Sequence, residues 1–381
     1  MCIRDRLKGI DNGIMDEPKL QYYLMDSVKP AVDYAHREGN WRSASCWPCP
    51  SIEFRQFYLH PDALSSESYN QPCIVEVCSP ESTGIMGGKL MVGIGYSGEF
   101  ADDQRADDAQ SLVFDTPPLE EALAVTGQPK ACIYLSSDHA IANIAVRLCD
   151  VHPTGESSLI TYAVLNLAHR DSHENPTALV PGQLYRVEVS LNHIAYRVPA
   201  GHRLRLAISN AYWPLIWPSP YRDTLYLHLS EGRLSLPCLT SAGQNHTPAL
   251  DVIDPEERPT GKELRPGQTR KTIQKDPESG VVRIHTETDY GHYWHRSCDT
   301  DIDFTIDQLL SIHPDDPNSA SSKTGLQVKM NQGGLVTSLY SHYEMTSSRQ
   351  HYFITATWQA WAGDSCIFEK HFDEKIERRL I

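Results

Sequence analysis

Apolar and polar residues alternate along the middle of this chain. Residues 185–191 read Tyr-Arg-Val-Glu-Val-Ser-Leu and residues 202–208 read His-Arg-Leu-Arg-Leu-Ala-Ile. A period of two is typical of strands that bury one face and expose the other. Similar runs recur at short intervals from residue 53 to residue 229, with turn-forming Pro and Gly residues between them. The pattern predicts a mainly β fold, with a two-sheet jelly-roll sandwich over residues 41–245.

The flanking segments differ from this central region. Residues 246–279 combine several prolines with charged residues and predict an extended linker. Alternation returns after residue 280, which predicts a second, smaller antiparallel β domain over residues 280–381. Residues 1–40 offer only one helix end and one strand, too little to bury a core, so they resemble a fragment of another domain.

The composition of the chain limits the classes of partner that it can be expected to bind. The 381 residues carry a net charge of −15, which argues against nucleic acid because phosphate binding needs clustered positive charge. The sequence contains neither a long apolar run nor a recognisable signal peptide, so we expect no membrane partner. The ten cysteines are dispersed, and several lie in strand-like runs, which favours a reducing, cytoplasmic location. A small molecule or another protein is the expected ligand, and no cofactor is predicted.

Three local motifs suggest chemistry that their surroundings do not favour. Ser97 lies in Gly-Tyr-Ser-Gly, but Glu99 replaces the last glycine of a nucleophile elbow and a polar loop follows instead of a helix. Cys46 and Cys49 form a C-x-x-C pair outside the βαβ context of redox enzymes. The segment 292–298 holds two histidines and a cysteine, without a second ligand pair at structural zinc spacing. We therefore predict no catalytic residue and no metal site here.

Two further segments supply the candidate site residues. Four carboxylates surround Arg105 between residues 102 and 108, which predicts a loop clamp in preference to a calcium site. Residues 210–221 hold four large aromatic residues and three prolines directly after a strand, a composition favoured at interfaces and pocket mouths. The alternative for this aromatic loop is a packed cover over the sandwich end. The clamp candidates are Asp103, Arg105, Asp107 and Asp108, and the pocket or interface candidates are Asn210, Tyr212, Trp213 and Trp217.

The order of several motifs along the chain resembles one family. The motifs are Leu7-Lys8-Gly9, Met15-Asp16-Glu17-Pro18, Trp47-Pro48, Asp103-Gln104-Arg105, Leu112-Val113-Phe114-Asp115-Thr116, Pro181-Gly182 and Val198-Pro199-Ala200-Gly201-His202-Arg203-Leu204-Arg205. Together they resemble the C-terminal portion of the CocE/NonD hydrolases, which include cocaine esterase and X-prolyl dipeptidyl-peptidases. The resemblance covers about residues 7–245, and the final domain resembles an extra β domain of one branch of the family.

The resemblance implies a galactose-binding-like jelly roll that accompanies a catalytic α/β-hydrolase domain. In the family the Ser, Asp and His of the triad precede the segment matching residue 7, so none of them is carried onto this sequence. Residues 1–40 would then be a hydrolase remnant, residues 1–6 a candidate foreign start, and the chain by itself would be inactive. The sandwich would pack on the catalytic domain and wall a pocket for a small ester or amide, with the aromatic loop at that interface. The alternatives are a stand-alone ligand- or carbohydrate-binding module and a hydrolase that uses Ser97, and homo-oligomers are conceivable in each case.

Overall fold

The computed structural model describes residue 9 and residues 16–88, 100–240 and 261–380, and within these ranges it is nearly all β. Fourteen strands form one sheet and eight form a second sheet. The strands of the larger sheet are β1 (Leu20–Asp26), β2 (Gly39–Ala44), β3 (Ile52–His60), β4 (Ala63–Ser65), β5 (Ile74–Val77), β6 (Leu112–Asp115), β7 (Leu123–Gly127), β8 (Lys130–Ser137), β9 (Asn143–Val151), β10 (Ser157–Asn166), β11 (Tyr185–Ser190), β12 (Ile194–Val198), β13 (Arg203–Ser209) and β14 (Leu225–Leu239). Those of the second sheet are β15 (Lys262–Arg265), β16 (Gln268–Lys275), β17 (Val282–His295), β18 (Thr300–His313), β19 (Asp316–Gln332), β20 (Leu335–Ser347), β21 (His351–Ala362) and β22 (Ser365–Glu377).

The larger sheet encloses the main core. Its strands follow the order β10-β9-β13-β6-β4-β3-β14-β7-β12-β1-β2, with β5 and β8 on β14 and β11 on β8. The predicted alternation is confirmed in β11, where Val187 and Val189 are buried between exposed neighbours. All nine residues of β9 are buried, and its Ile144, Val146 and Leu148 belong to the core. The mainly β class is therefore confirmed, and the jelly-roll connectivity stays a prediction.

The helical elements among the described residues are short. Helix α1 (Arg105–Asp108) precedes β6, and a single 3-10 turn (Leu167–His169) follows β10. Asn166 begins this turn, and its side-chain oxygen accepts a hydrogen bond from the backbone N–H of Ala168 at 2.9 Å. Within the described ranges, no helix has the length and apolar character needed to cross a membrane.

Two segments differ from the boundaries predicted from sequence. Strand β1, placed with the hydrolase remnant, pairs with β2 and with β12 and so belongs to the larger sheet. The predicted linker 246–279 contains β15 and β16, both of which pair with β17. Backbone hydrogen bonds to β17 stabilise these polar strands, and that contribution does not show in their local composition.

The second sheet is a continuous antiparallel meander from β17 to β22. One face packs on the sandwich through Val282, Ile284 and Ile312, which cluster around Trp213. At the same junction the Arg222 guanidinium lies 2.7 Å from the Asp315 carboxylate. The described residues therefore form one large core and a smaller one between the two sheets.

Candidate functional site

The aromatic loop lies at the junction of the two sheets. Tyr212 and Trp213 are each only 2% exposed, and Asn210 is also buried. The Asn210 amide oxygen accepts a hydrogen bond from the Ser79 backbone N–H at 2.7 Å, and its Nδ2 donates to the Asp223 backbone oxygen at 2.7 Å. Asn210 thus fixes the start of the loop by pairing with the backbone of two other segments.

The two tryptophans of this loop connect the sandwich to the second sheet. Their rings meet edge to face with centroids 5.4 Å apart, and Trp213 packs against Val282 and Ile312. The Trp217 indole N–H donates to the Ser347 hydroxyl at 2.9 Å, across the junction. A cavity of about 420 Å³ opens beside them, between Tyr162 and Tyr212 on one side and Tyr343 of the second sheet on the other. Trp213 and Trp217 therefore contact the second sheet, whereas Asn210 and Tyr212 bind partners within the sandwich region.

The predicted clamp divides into an exposed part and a buried part. Asp103 and Arg105 form an exposed pair, with Arg105 Nη2 2.7 Å from Asp103 Oδ2. Burial acts to raise the pKa of Asp103, but hydrogen bonds from Arg105 and from the Ser157 backbone outweigh it and lower the pKa. The interpretation of a carboxylate holding Arg105 thus fits Asp103.

Asp107 and Asp108 point from helix α1 into the protein and bind other partners. Asp107 accepts hydrogen bonds from the backbone N–H groups of Gly84 and Met86 at 3.0 and 3.1 Å, and burial raises its pKa. Asp108 lies 2.8 Å from Arg147 Nη1 and 3.0 Å from Arg205 Nη1. Since Arg105 is exposed while Asp107 and Asp108 are buried, the predicted four-residue clamp is replaced by an exposed Asp103–Arg105 pair and a buried charge network.

A second buried cluster was missed from sequence. The Asp150 carboxylate accepts hydrogen bonds from Ser27 Oγ at 2.5 Å and Tyr196 Oη at 2.9 Å, and its Oδ1 lies 2.7 Å from His202 Nδ1. The His152 ring lies beside that of His202, with centroids 4.6 Å apart, and burial lowers the pKa of His152. The signal in the sequence was a histidine two residues after Asp150 and another at a strand start, but neither spacing identifies a partner.

This cluster has the residue types of a hydrolase triad without the triad's geometry. A catalytic triad needs a serine bonded to a histidine that a carboxylate orients. Here Asp150 lies in the middle and bonds Ser27 and His202 separately, and His152 contacts Ser158 Oγ at 3.0 Å while Ser158 donates to the Val28 backbone oxygen. The groups of Asp150, His152 and His202 lie within 4.8 Å of one another, yet these hydrogen bonds already use the carboxylate. The cluster ties residues 27 and 28 to β9, β10 and β12 and to His202, which directly precedes β13.

The structure describes two of the three motifs for which the sequence analysis predicted no chemistry. Ser97 lies outside the described residues. The described part of the chain contains two clusters of metal-ligand type, and neither includes Cys46, Cys49 or Cys298. Cys49 Sγ instead lies 2.9 Å from Ser51 Oγ, and Cys298 Sγ contacts the His295 backbone oxygen.

An apolar groove of about 690 Å³ lies on the sandwich, along β1, β10 and β12. Its walls include Tyr22, Ile160 and Ile194, and its rim includes Trp47 and Phe100, which are 46% and 37% exposed. Exposed apolar surface of this kind marks sites of interaction with another domain or a ligand. We call this feature the sandwich groove.

Comparison with known proteins identifies the class of the chain. Residues 12–277 match the family described as the X-Pro dipeptidyl-peptidase C-terminal non-catalytic domain, and the chain belongs to that family. This domain occurs in hydrolases of the acyl esterase and X-Pro dipeptidyl-peptidase type, so the resemblance predicted from the motif order is confirmed.

Two named relatives agree with this assignment, and one solved structure is similar in part. The chain is 29% identical over 233 residues to a Mycobacterium bovis protein named "Putative serine esterase Mb1866c", covering 55% of this chain and 35% of that protein. It is 23% identical over 221 residues to cocaine esterase of Rhodococcus sp. (strain MB1 Bresler), covering 55% and 36%. An aminopeptidase structure from a Thaumarchaeota archaeon superposes with a TM-score of 0.49 at 19% identity, covering 62% of this chain and 43% of that one. The chain thus spans about a third of the length of these curated relatives.

Proposed function

We propose that this chain is the C-terminal region of a serine acyl hydrolase and performs no bond cleavage itself. The observation that carries the proposal is the family match over residues 12–277 to a domain described as non-catalytic. In the intact enzyme a serine of the catalytic domain attacks an ester or amide carbonyl, and water then releases the acyl group. The region described here packs on that domain and completes the wall of its substrate pocket.

The sandwich groove is the surface that we assign to this contact. The aromatic loop was the surface predicted from sequence, but Tyr212 and Trp213 are each only 2% exposed and offer little free area, and Trp213 is packed against the second sheet. The groove instead presents apolar side chains on β10 and β12 together with the exposed rings of Trp47 and Phe100. Burying such a surface against a catalytic domain is favourable because it removes apolar area from water.

A charge placed in the groove tests this assignment in an intact hydrolase that contains this region. Ile194→Lys would bury an ammonium group in the contact, so we expect kcat/KM for ester hydrolysis to fall at least about tenfold, equivalent to about 1.4 kcal/mol. Ile74→Lys is the matched control because Ile74 is 56% exposed on β5 and does not line the groove. Equal activities of the two variants would argue against the groove as the contact surface.

A second candidate function is the binding of a polar ligand, as in a stand-alone binding module. A trough of about 840 Å³ crosses the second sheet and is lined by polar side chains, including Glu287, Asp307, Gln327 and His342. Such groups could hydrogen-bond the hydroxyls of a carbohydrate. Calorimetric titration with soluble oligosaccharides tests this candidate. A saturable binding heat that disappears in the Gln327→Ala variant would support it. The absence of any binding heat with the original chain would count against it.

A further inference from the structure

Strand β22 is an open edge of the second sheet. It pairs with β21 along one side, and no strand among the described residues pairs with its other side. Twelve of its thirteen residues are exposed, and Ile367, Phe368 and Ile376 are 66%, 50% and 47% exposed. Because unpaired backbone groups and apolar side chains favour the addition of another strand, proteins usually shorten or cover such edges.

The sequence of β22 is complementary to itself. Residues 368–376 read Phe-Glu-Lys-His-Phe-Asp-Glu-Lys-Ile. When a second copy runs antiparallel with Phe372 opposite Phe372, apolar residues face apolar residues and each charge faces its opposite. The opposed pairs are Phe368 with Ile376, Glu369 with Lys375, Lys370 with Glu374, and His371 with Asp373. A two-fold axis through Phe372 generates each of these pairs twice.

The local geometry of β22 allows this pairing. From Phe368 to Glu377 the strand pairs one to one with β21, and its irregularity lies before Phe368. Opposed residues in the proposed register therefore lie on the same face of the sheet. Lys370, Glu374 and Lys375 form no ion pair with the described residues; the Lys370 ammonium lies 4.6 Å from the centroid of the Phe372 ring, next to the proposed two-fold axis. These three charges can therefore pair with a second copy without breaking an existing ion pair.

Neighbouring registers are disfavoured by like charges. Sliding the second copy by one residue places Glu369 opposite Glu374 in one direction and Lys370 opposite Lys375 in the other. Sliding by two residues opposes Glu369 to Asp373, or His371 to Lys375. Like charges directly opposite each other destabilise strand pairing, so the Phe372-centred register is the favoured one among these.

We propose that two copies of this chain dimerise through β22, antiparallel about Phe372, to form one continuous sheet across the dimer. The contact lies outside residues 12–277, where the family match ends, and it does not depend on the catalytic domain. Dimerisation would also explain why β22 carries exposed apolar residues, since Ile367, Phe368 and Ile376 are covered neither by the larger sheet nor at the junction.

Sedimentation of the purified chain over a concentration series tests the proposal. The expected species at high concentration has twice the 42.8 kDa mass of one chain. Lys370→Glu opposes two carboxylates and Glu374→Lys opposes two ammonium groups, so each should weaken dimerisation at least about tenfold. The combined Lys370→Glu/Glu374→Lys variant exchanges the two charges and should restore dimerisation to within about threefold of the original chain.

Two controls separate strand pairing from general effects. Lys329→Glu makes the same charge change on β19, which is paired on both sides, and should leave dimerisation unchanged. Circular dichroism and thermal unfolding show whether each variant is folded, and misfolding caused by either substitution would persist in the combined variant. A chain that stays monomeric at all concentrations, a dimer unaffected by Lys370→Glu, or a folded combined variant that stays monomeric would each overturn the proposal.

Discussion

Replacing Trp213 with alanine should lower the free energy of unfolding and weaken the attachment of the second sheet to the sandwich. Trp213 is 2% exposed and forms the centre of the small core with Val282, Ile284 and Ile312. Truncating a buried tryptophan to alanine costs about 3 to 5 kcal/mol of unfolding free energy through lost burial and a residual cavity. Its indole N–H has no hydrogen-bond partner among the described residues, so its removal relieves a buried polar group. We therefore expect the lower value, about 3 kcal/mol.

Urea unfolding measures this loss, with Trp47→Ala as the matched control. Trp47 is 46% exposed on the rim of the sandwich groove, so its truncation should cost only about 1 kcal/mol. Limited proteolysis should also cut the second sheet of Trp213→Ala faster than that of Trp47→Ala, because Trp213 holds that sheet to the sandwich. Equal losses of stability in the two variants would refute the view that Trp213 anchors the junction.

Two further predictions concern buried carboxylates. Asp108→Asn should lower the unfolding free energy by about 3 to 5 kcal/mol because it leaves buried Arg147 without its charge partner, whereas Asp103→Asn at the exposed pair should cost below about 1 kcal/mol. Similar urea midpoints would contradict this contrast. Burial and nearby Asp223 raise the pKa of Glu81 from 4.5 to about 8. The contribution of protonated Glu81 to the free energy of unfolding is therefore complete below pH 4.5 and is lost as the pH rises to about 8. The loss is at most about 1.4 kcal/mol per pH unit. Between pH 4.5 and about 8 the melting temperature should fall less in the Glu81→Gln variant than in the original chain. If the variant and the original chain show the same pH profile, Glu81 is not the group responsible.

Local sequence predicted the strands well because their pattern depends on neighbouring residues only. The alternation over 185–191 and 202–208 corresponds to β11 and β13. The strands β15 and β16 were not predicted, since they form by pairing with β17 and carry little apolar alternation of their own. Strand formation there depends on a distant partner, which composition does not reveal.

The partners of the candidate site residues likewise could not be predicted from local sequence. Sequence placed Asp107 and Asp108 near Arg105, but Asp108 pairs with Arg147 and Arg205, which lie on β9 and β13. The aromatic loop was predicted to contact a catalytic domain, and that contact stays a prediction. Within this chain Trp213 and Trp217 of the loop contact the second sheet, a partner that could not be read from residues 210–221. Side-chain partners far apart in the chain are set by the fold, and residue type constrains only the kind of bond they form.

We propose that this region is part of a hydrolase and performs no bond cleavage itself. The most direct test treats the purified chain with a fluorophosphonate probe and measures ester hydrolysis in the same preparation, with cocaine esterase as the positive control. We expect no covalent labelling and no hydrolysis above the buffer rate, because the probe reacts with a serine that a neighbouring base activates. Stoichiometric labelling of a serine in this chain, at Ser97 for example, together with ester turnover would contradict it.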